Sequence, residues 1–287
     1  TFTLEKHAVR FFLRWLQTEL RLIGERFSPP PLDTLFIGGG TPTVLSGAQL
    51  SELLGWVHEY IGLSPGAEIT VEANPGSVTR RGLQAMRESG INRVSLGVQS
   101  FSDEMLRVIG RNHTVRDIET SYDLIRRSGF DNVNFDLMYA LPNQTFADWQ
   151  ATLQRAISLG PEHLSCYSLI IEEGTPFGEL HARGELPLPP DDEEAAMFEY
   201  TIDTCVEAGY EHYEISNFAR LGFRCRHNEL YWRNESWLAA GPGAHGYWQG
   251  KRYWNERGLE EYGRCLEAGG LPIDGFETPT LDEQMDE

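Results

Sequence analysis

Basic charge is scarce in this 287-residue chain: 24 Lys and Arg stand against 43 Asp and Glu, for a formal net charge of −19. That balance excludes a general affinity for nucleic-acid phosphates and predicts no nucleic-acid partner. Cysteine is scarce too. Cys166, Cys205, Cys225 and Cys265 lie 39, 20 and 40 positions apart, which is neither a zinc spacing nor a secreted disulfide framework, so reduced thiols in a cytoplasmic protein are expected. No apolar run approaches the ~20 residues that cross a bilayer, and the opening Thr1-Phe2-Thr3-Leu4-Glu5-Lys6 is no signal peptide. No transmembrane segment is expected, and peripheral membrane contact stays open. Also missing are the G-x-G-x-x-G spacing of a dinucleotide site and the Gly-Lys-Ser/Thr of a phosphate loop.

What is present is an alternation of helical and strand patterns. Residues 4–27 carry Phe11, Phe12, Trp15, Leu16, Leu20 and Ile23 at helical spacing, and Ser28-Pro29-Pro30-Pro31 stops that helix. Strands follow at 33–37, 68–73, 93–99, 132–138 and 163–170, each preceded by a helical stretch. This rhythm predicts an α/β fold with a parallel sheet and right-handed crossovers. A sheet that opens on a helix lacks the strand that the helix should follow, so an open, partial barrel without its first strand is expected, and the chain reads as a fragment. Residues 172–192, rich in Pro, Gly and acids, read as a connector, with Asp191 or Asp192 capping a helix over 193–208. A strand over Tyr210–Ser216 and an aromatic, glycine-rich tract follow, to make an α+β extension. The acidic end from Gly275 to Glu287 shows no core face.

Function is expected at one end of the sheet, where parallel α/β folds gather their polar groups outside the carboxyl ends of the strands. There lie Gly38-Gly39-Gly40-Thr41, then Glu72, then Gln99 and Ser100, then Asp136. Each has a bland reading as a tight turn, a solvated strand end, a satisfied amide or a cap. Their coincidence at equivalent places favours a shared site. Glycines let a ligand touch bare backbone, and Arg111 offers a clamp for a carboxylate, so the set suits a small zwitterion that carries hydroxyls.

Taken together, Gly-Gly-Gly-Thr-Pro-Thr (38–43), Val-Glu-Ala-Asn-Pro-Gly (71–76), Ser-Leu-Gly-Val-Gln-Ser-Phe (95–101), Gly-Arg-Asn-His (110–113) and Phe-Asp-Leu-Met-Tyr-Ala-Leu-Pro (135–142) resemble the radical S-adenosylmethionine (SAM) family of oxygen-independent coproporphyrinogen III oxidases. The tract Cys225-Arg226-His227-Asn228-Glu229-Leu230-Tyr231-Trp232 resembles the His-Asn-x-x-Tyr-Trp motif of its heme-chaperone branch, HemW. The resemblance implies a partial TIM-like radical SAM barrel over residues 1–171, an accessory region over 172–275 and a truncated C-terminal region from 276 to 287. It also implies that Gly39, Gly40 and Thr41 hold the methionyl amine of SAM, Glu72 and Gln99 its ribose and Arg111 its carboxylate. Asp136 and the backbone near Ser168 would line the adenosine side or a neighbouring site. The family's [4Fe–4S] cluster sits on a Cys-x-x-x-Cys-x-x-Cys loop, which this chain lacks, so the chain as written is expected to be unable to cleave SAM.

Residues 220–233 hold Arg220, Arg224, Arg226, His227 and Arg233 against the single acid Glu229, which suggests an anionic partner. In a helix, His227 and Tyr231 would lie one turn apart with Trp232 beside them, an arrangement in which His227 ligates heme iron, the aromatics cover the macrocycle and the arginines meet propionates. The competing reading makes the aromatics core and pairs the arginines with surface acids. Cys225 as thiolate ligand or covalent link stays open, and His245 is an outside candidate.

Three functions therefore compete. The first is a heme chaperone that passes heme to recipient hemoproteins. The second is an oxidase that converts coproporphyrinogen III to protoporphyrinogen IX. The third is a non-catalytic α/β binding module. A homodimer stays open.

Overall fold

The computed structural model describes residues 6–279, with side chains from residue 9; the expectations for 4–5 and for the acidic end from 280 fall outside the described residues. In chain order the elements are α1 (Lys6–Phe27), β1 (Leu32–Ile37), a 3-10 turn (Pro42–Val44), α2 (Gly47–Tyr60), β2 (Leu63–Ala73), α3 (Arg80–Glu88), β3 (Arg93–Gln99), α4 (Asp103–Val108), α5 (Val115–Arg127), β4 (Val133–Tyr139), α6 (Phe146–Leu159) and β5 (His163–Ser168). Then come α7 (Pro176–Ala182), α8 (Asp191–Glu207), β6 (Glu211–His212), β7 (Asn217–Ala219), α9 (Arg226–Trp232), β8 (His245–Trp248), β9 (Lys251–Asn255), α10 (Leu259–Glu267) and β10 (Ile273–Glu277). Seven strands form one sheet in the order β1-β2-β3-β4-β5-β7-β6, and β10-β9-β8 form a second. β3, β4 and β5 pair in parallel, as the strand–helix alternation predicts.

Three expectations are corrected. The strand expected over 210–216 is only the short β6, after which the chain bends at 214–216 and returns as β7, paired antiparallel with β6. The connector at 172–192 holds α7, which Thr175 caps by accepting from the Gly178 amide. α8 begins at Asp191 behind the N-cap Pro190, which offers no side-chain cap, and Asp191 and Asp192 stand inside its first turn, where acids meet the positive end of the helix dipole.

Two compact units divide the chain. One holds the residues up to Thr70, 84–91 and those from Arg226 onward; the other holds 71–83 and 92–225. In the second unit, strand alternation sorts side chains onto two faces. Val94, Leu96 and Val98, then Val133, Phe135 and Leu137, then Leu164 and Cys166 are all buried, and they form one apolar face of β3–β5. The opposite parity places Arg93, Ser95, Gly97, Gln99, Asn134, Asp136, His163, Ser165 and Tyr167 on the other face, so the chemistry-bearing residues share one surface. Thr114 with Asp117 and Thr145 with Asp148 form reciprocal capping boxes that start α5 and α6, the helices on either side of β4 in sequence.

In the first unit, α1 packs on α2 through Leu16, Leu20, Leu53 and Val57, and on α10 through Leu22, Tyr262 and Leu266. Glu19 is buried among them and accepts from the Tyr262 hydroxyl (2.5 Å), the Asn255 amide (2.6 Å) and the Gly241 N–H (2.8 Å). Burial pushes its carboxyl up to about 7, against the pull of those three donors.

Candidate functional site

The polar face of β3–β5 is tied together by hydrogen bonds. Asn134 Nδ2 donates to Asp136 Oδ1 and to Ser95 Oγ, both at 2.7 Å, and Ser95 Oγ donates to Asp136 at 3.1 Å. With its Nδ2 spent as donor, Asn134 uses Oδ1 to accept from His163 Nδ1 at 2.6 Å. That fixes the His163 tautomer, so Nε2 accepts from the Tyr213 hydroxyl at 2.8 Å. Burial holds the His163 pKa well below its ordinary value, and the positive charge of Arg93 lowers it further, so the ring is neutral. Asp136 is pushed up by desolvation and held back by Ser95, Arg93, Asn134 and Arg111. Arg93 is itself buried, and its Nε has no partner among the described residues.

At the carboxyl end of this face the polar groups converge on Tyr167. Its hydroxyl donates to Gln99 Oε1 at 2.9 Å. Burial raises its pKa, the charge on Asp136 raises it further, and Gln99, Arg111 and Glu72 act on it too. Arg111 Nη1 donates to Asn74 Oδ1 at 3.4 Å, and the Arg111 loop is anchored by His113, whose Nε2 donates to the Val98 carbonyl at 3.4 Å. Burial lowers the His113 pKa, which keeps that anchor neutral. The geometry therefore brings together Glu72, Gln99 and Asp136, expected from the strand ends, and Arg111, expected as a carboxylate clamp. Ser168 turns its side chain to Tyr139 on the opposite face, and only its backbone borders Tyr167. Gly39, Gly40 and Thr41 lie in the other unit, on the exposed turn after β1. A Cβ at Gly39 or Gly40 would meet nothing within 4 Å, so the chain's own packing does not demand glycine there beyond the positive φ of Gly39 (+78°).

Tyr167, His163 and Asn74 were not singled out from the sequence. Tyr167 carries a legible signal all the same: it stands one residue before Ser168, and strand alternation turns it toward Gln99.

The second candidate region is α9 against β1 and β2 within the first unit. Glu68, buried on β2, accepts from the backbone N–H of Arg226 (3.2 Å) and of His227 (3.1 Å), and so holds the first turn of α9. The His227 ring stacks on Phe36 at 5.5 Å between centroids. Its Nδ1 lies 2.8 Å from Thr34 Oγ1 and its Nε2 3.0 Å from the Tyr231 hydroxyl. The expected helix and the one-turn spacing of His227 and Tyr231 are present, and both ring nitrogens are engaged by the chain's own hydroxyls. Tyr231 meets Trp237 edge-on, and Trp232 is 46% exposed.

The arginines of this tract are engaged by the chain itself, as the competing reading of the tract expects. Arg233 pairs with Glu229 and Glu235, Arg226 donates to the Gly66 carbonyl, Arg224 pairs with Glu211, and Arg220 lies over the Tyr210 ring.

The Radical SAM superfamily model matches residues 10–156. The chain is 40% identical over 268 residues to the heme chaperone HemW of Synechocystis, and 39% identical over 285 residues to the heme chaperone HemW of Bacillus subtilis. These matches cover 92% and 99% of the chain. The chain belongs to the radical SAM superfamily, in its HemW branch. It spans 65% of the length of the first of these relatives and 75% of the second. Among solved structures, the coproporphyrinogen III oxidase HemN of Escherichia coli matches with a TM-score of 0.84 at 26% identity, over 98% of this chain and 67% of that one. That likeness identifies the seven-stranded sheet as the half-barrel of a radical SAM fold.

Membership of the superfamily implies S-adenosylmethionine and a [4Fe–4S] cluster. The residues present do not fit the cluster: among the described residues no group of three His, Cys, Asp or Glu could hold a metal, and Cys166, Cys205 and Cys225 are buried. They do fit SAM. A Cβ at Gly97 would come within 3.1 Å of Asn74 Oδ1 and 3.3 Å of Gln99 Nε2, so the glycine leaves room for the two amides to stand together at the rim. Among the described residues no helix is long and apolar enough to cross a membrane.

Proposed function

We propose that this chain is the core of a heme chaperone, which binds heme and passes it to recipient hemoproteins in the cytoplasm, with S-adenosylmethionine held at the β3–β5 rim. The observation that carries the reading is the identity to proteins named heme chaperone HemW, which runs through the tract that holds His227, Asn228, Tyr231 and Trp232. In this reading heme is cargo. His227 offers Nε2 to the iron once Tyr231 releases it, and the rings of Tyr231 and Trp232 cover the macrocycle.

At the rim, Arg111 takes the carboxylate of S-adenosylmethionine through its guanidinium fork, Glu72 and Gln99 take the ribose, and Asp136 with the backbone at Ser168 borders the adenosine. Bound there, S-adenosylmethionine supplies a sulfonium centre and an adenosyl group. The neutral His163 and the hydrogen-bonded Asn134 keep Asp136 oriented beside it.

The second reading, an oxidase that decarboxylates coproporphyrinogen III oxidatively, is favoured by the likeness to HemN. A transfer assay separates the two. The full-length protein loaded with hemin is expected to hand it to an apo-hemoprotein, followed by the shift of the Soret band, and to leave coproporphyrinogen III unchanged. Turnover of coproporphyrinogen without hemin transfer would overturn the proposal.

A further inference from the structure

Two residues of β1 meet the ring of His227 on α9. Thr34 and Phe36 alternate onto one side of the strand: Phe36 stacks on the imidazole, with 5.5 Å between centroids and 25° between planes, and Thr34 Oγ1 lies 2.8 Å from Nδ1. The backbone beneath the ring is held from β2, because Glu68 accepts from the N–H groups of Arg226 and His227. Ring plane, ring rotation and main chain are therefore all set by contacts to strands. Thr34 is only 8% exposed, so water does not take over for its hydroxyl when that is removed. A hydroxyl donates or accepts, and the bonds to Thr34 and Tyr231 are compatible with either tautomer of His227 in the heme-free chain. Binding iron removes that choice. A neutral imidazole that gives the Nε2 lone pair to iron carries its proton on Nδ1, and that N–H then needs an acceptor.

We propose that Thr34 is a positioning residue for heme capture: its hydroxyl oxygen accepts the Nδ1–H of His227 and so stabilises the tautomer whose Nε2 is bare for the iron once Tyr231 lets go. The lone pair of Nε2 goes to the iron, the proton stays on Nδ1, and no electron is transferred. Thr34→Val keeps the shape of the side chain and removes the acceptor. An Nδ1–H would then be buried and unpaired, so the heme-free ring moves its proton to Nε2, where the Tyr231 hydroxyl accepts it, and in that form the ring cannot ligate. The inference rests on the reading of His227 as the heme ligand and adds the residue that prepares it.

The test uses the full-length protein and hemin, with two readouts: a titration followed at the Soret band and, after reduction, the iron–histidine stretch in the resonance Raman spectrum. Thr34→Val is expected to weaken hemin binding about tenfold and to move the stretch to lower frequency, because an Nδ1–H without an acceptor makes the imidazole a poorer electron donor to iron. Thr34→Ser retains the hydroxyl and is expected to keep both the affinity and the stretch of the unaltered protein. If Thr34→Val changes the melting temperature alone, or changes nothing, or if Thr34→Ser loses as much as Thr34→Val, the positioning role is overturned while His227 stands as the ligand. If His227→Ala binds hemin as tightly as the unaltered protein, His227 is not the ligand and both ideas fall.

Discussion

The rim of β3–β5 and the α9 segment are both rich in polar side chains, and they differ in how much hydrogen bonding is already spent. At the rim, Tyr167 donates to the oxygen of the Gln99 amide, and the network below it orients Asp136. In α9, Thr34 and Tyr231 take both nitrogens of His227, and Glu68 ties down the helix start. In the proposed reading, the first arrangement is already set for S-adenosylmethionine. The second must surrender a hydrogen bond before it binds, which suits a carrier that has to let its cargo go as well as take it.

That contrast breaks most visibly where hydrogen bonding is wholly internal. Glu19, in the same unit as α9, is pushed up to about 7 in the folded chain against 4.5 when unfolded. The folded state therefore binds more protons between those values, and stability falls as pH rises from about 4.5 to 7, by up to about 3 kcal/mol, and is flat on either side. Urea unfolding across that window is expected to show the decline, and Glu19→Gln is expected to flatten it.

In the other unit, Asn134→Leu removes the amide that serves Asp136, Ser95 and His163 at once. The buried partners left behind cost about 2 kcal/mol, read as a lower urea midpoint at constant m-value. Arg111→Ala sharpens the contrast from the ligand side: S-adenosylhomocysteine affinity is expected to fall about tenfold while the unfolding curve stays put, since Arg111 is half-exposed and makes one long bond, to Asn74. The smallest effect is expected at Tyr231→Phe. Losing the hydroxyl frees His227 Nε2, and hemin affinity should rise about three- to tenfold.

Much of this was legible before any coordinates. Glycine and proline stops framed β3, β4 and β5, and the polar residues at their ends, Gln99 and Asp136, do meet around one place. Tyr167, Asn134 and His163 were hidden because every residue of β3 and most of β4 are buried, so period-two burial did not reveal which face was polar. Tyr213 reaches His163 across 50 positions, a distance that no local pattern spans. Nothing in the helical pattern of 4–27 singles out Glu19, because its three partners lie more than 220 residues away. The arginines of 220–233 looked unbalanced because some of the groups that hold them, Glu211 and the Gly66 carbonyl, stand outside the tract.

In the proposed reading, His227 exchanges the Tyr231 hydroxyl on Nε2 for heme iron. The most direct measurement is a hemin titration of the full-length protein, followed at the Soret band, for the unaltered chain, Tyr231→Phe and His227→Ala. The account predicts that Tyr231→Phe binds tightest, the unaltered protein next, and that His227→Ala loses tight binding. Equal affinities for all three would contradict it.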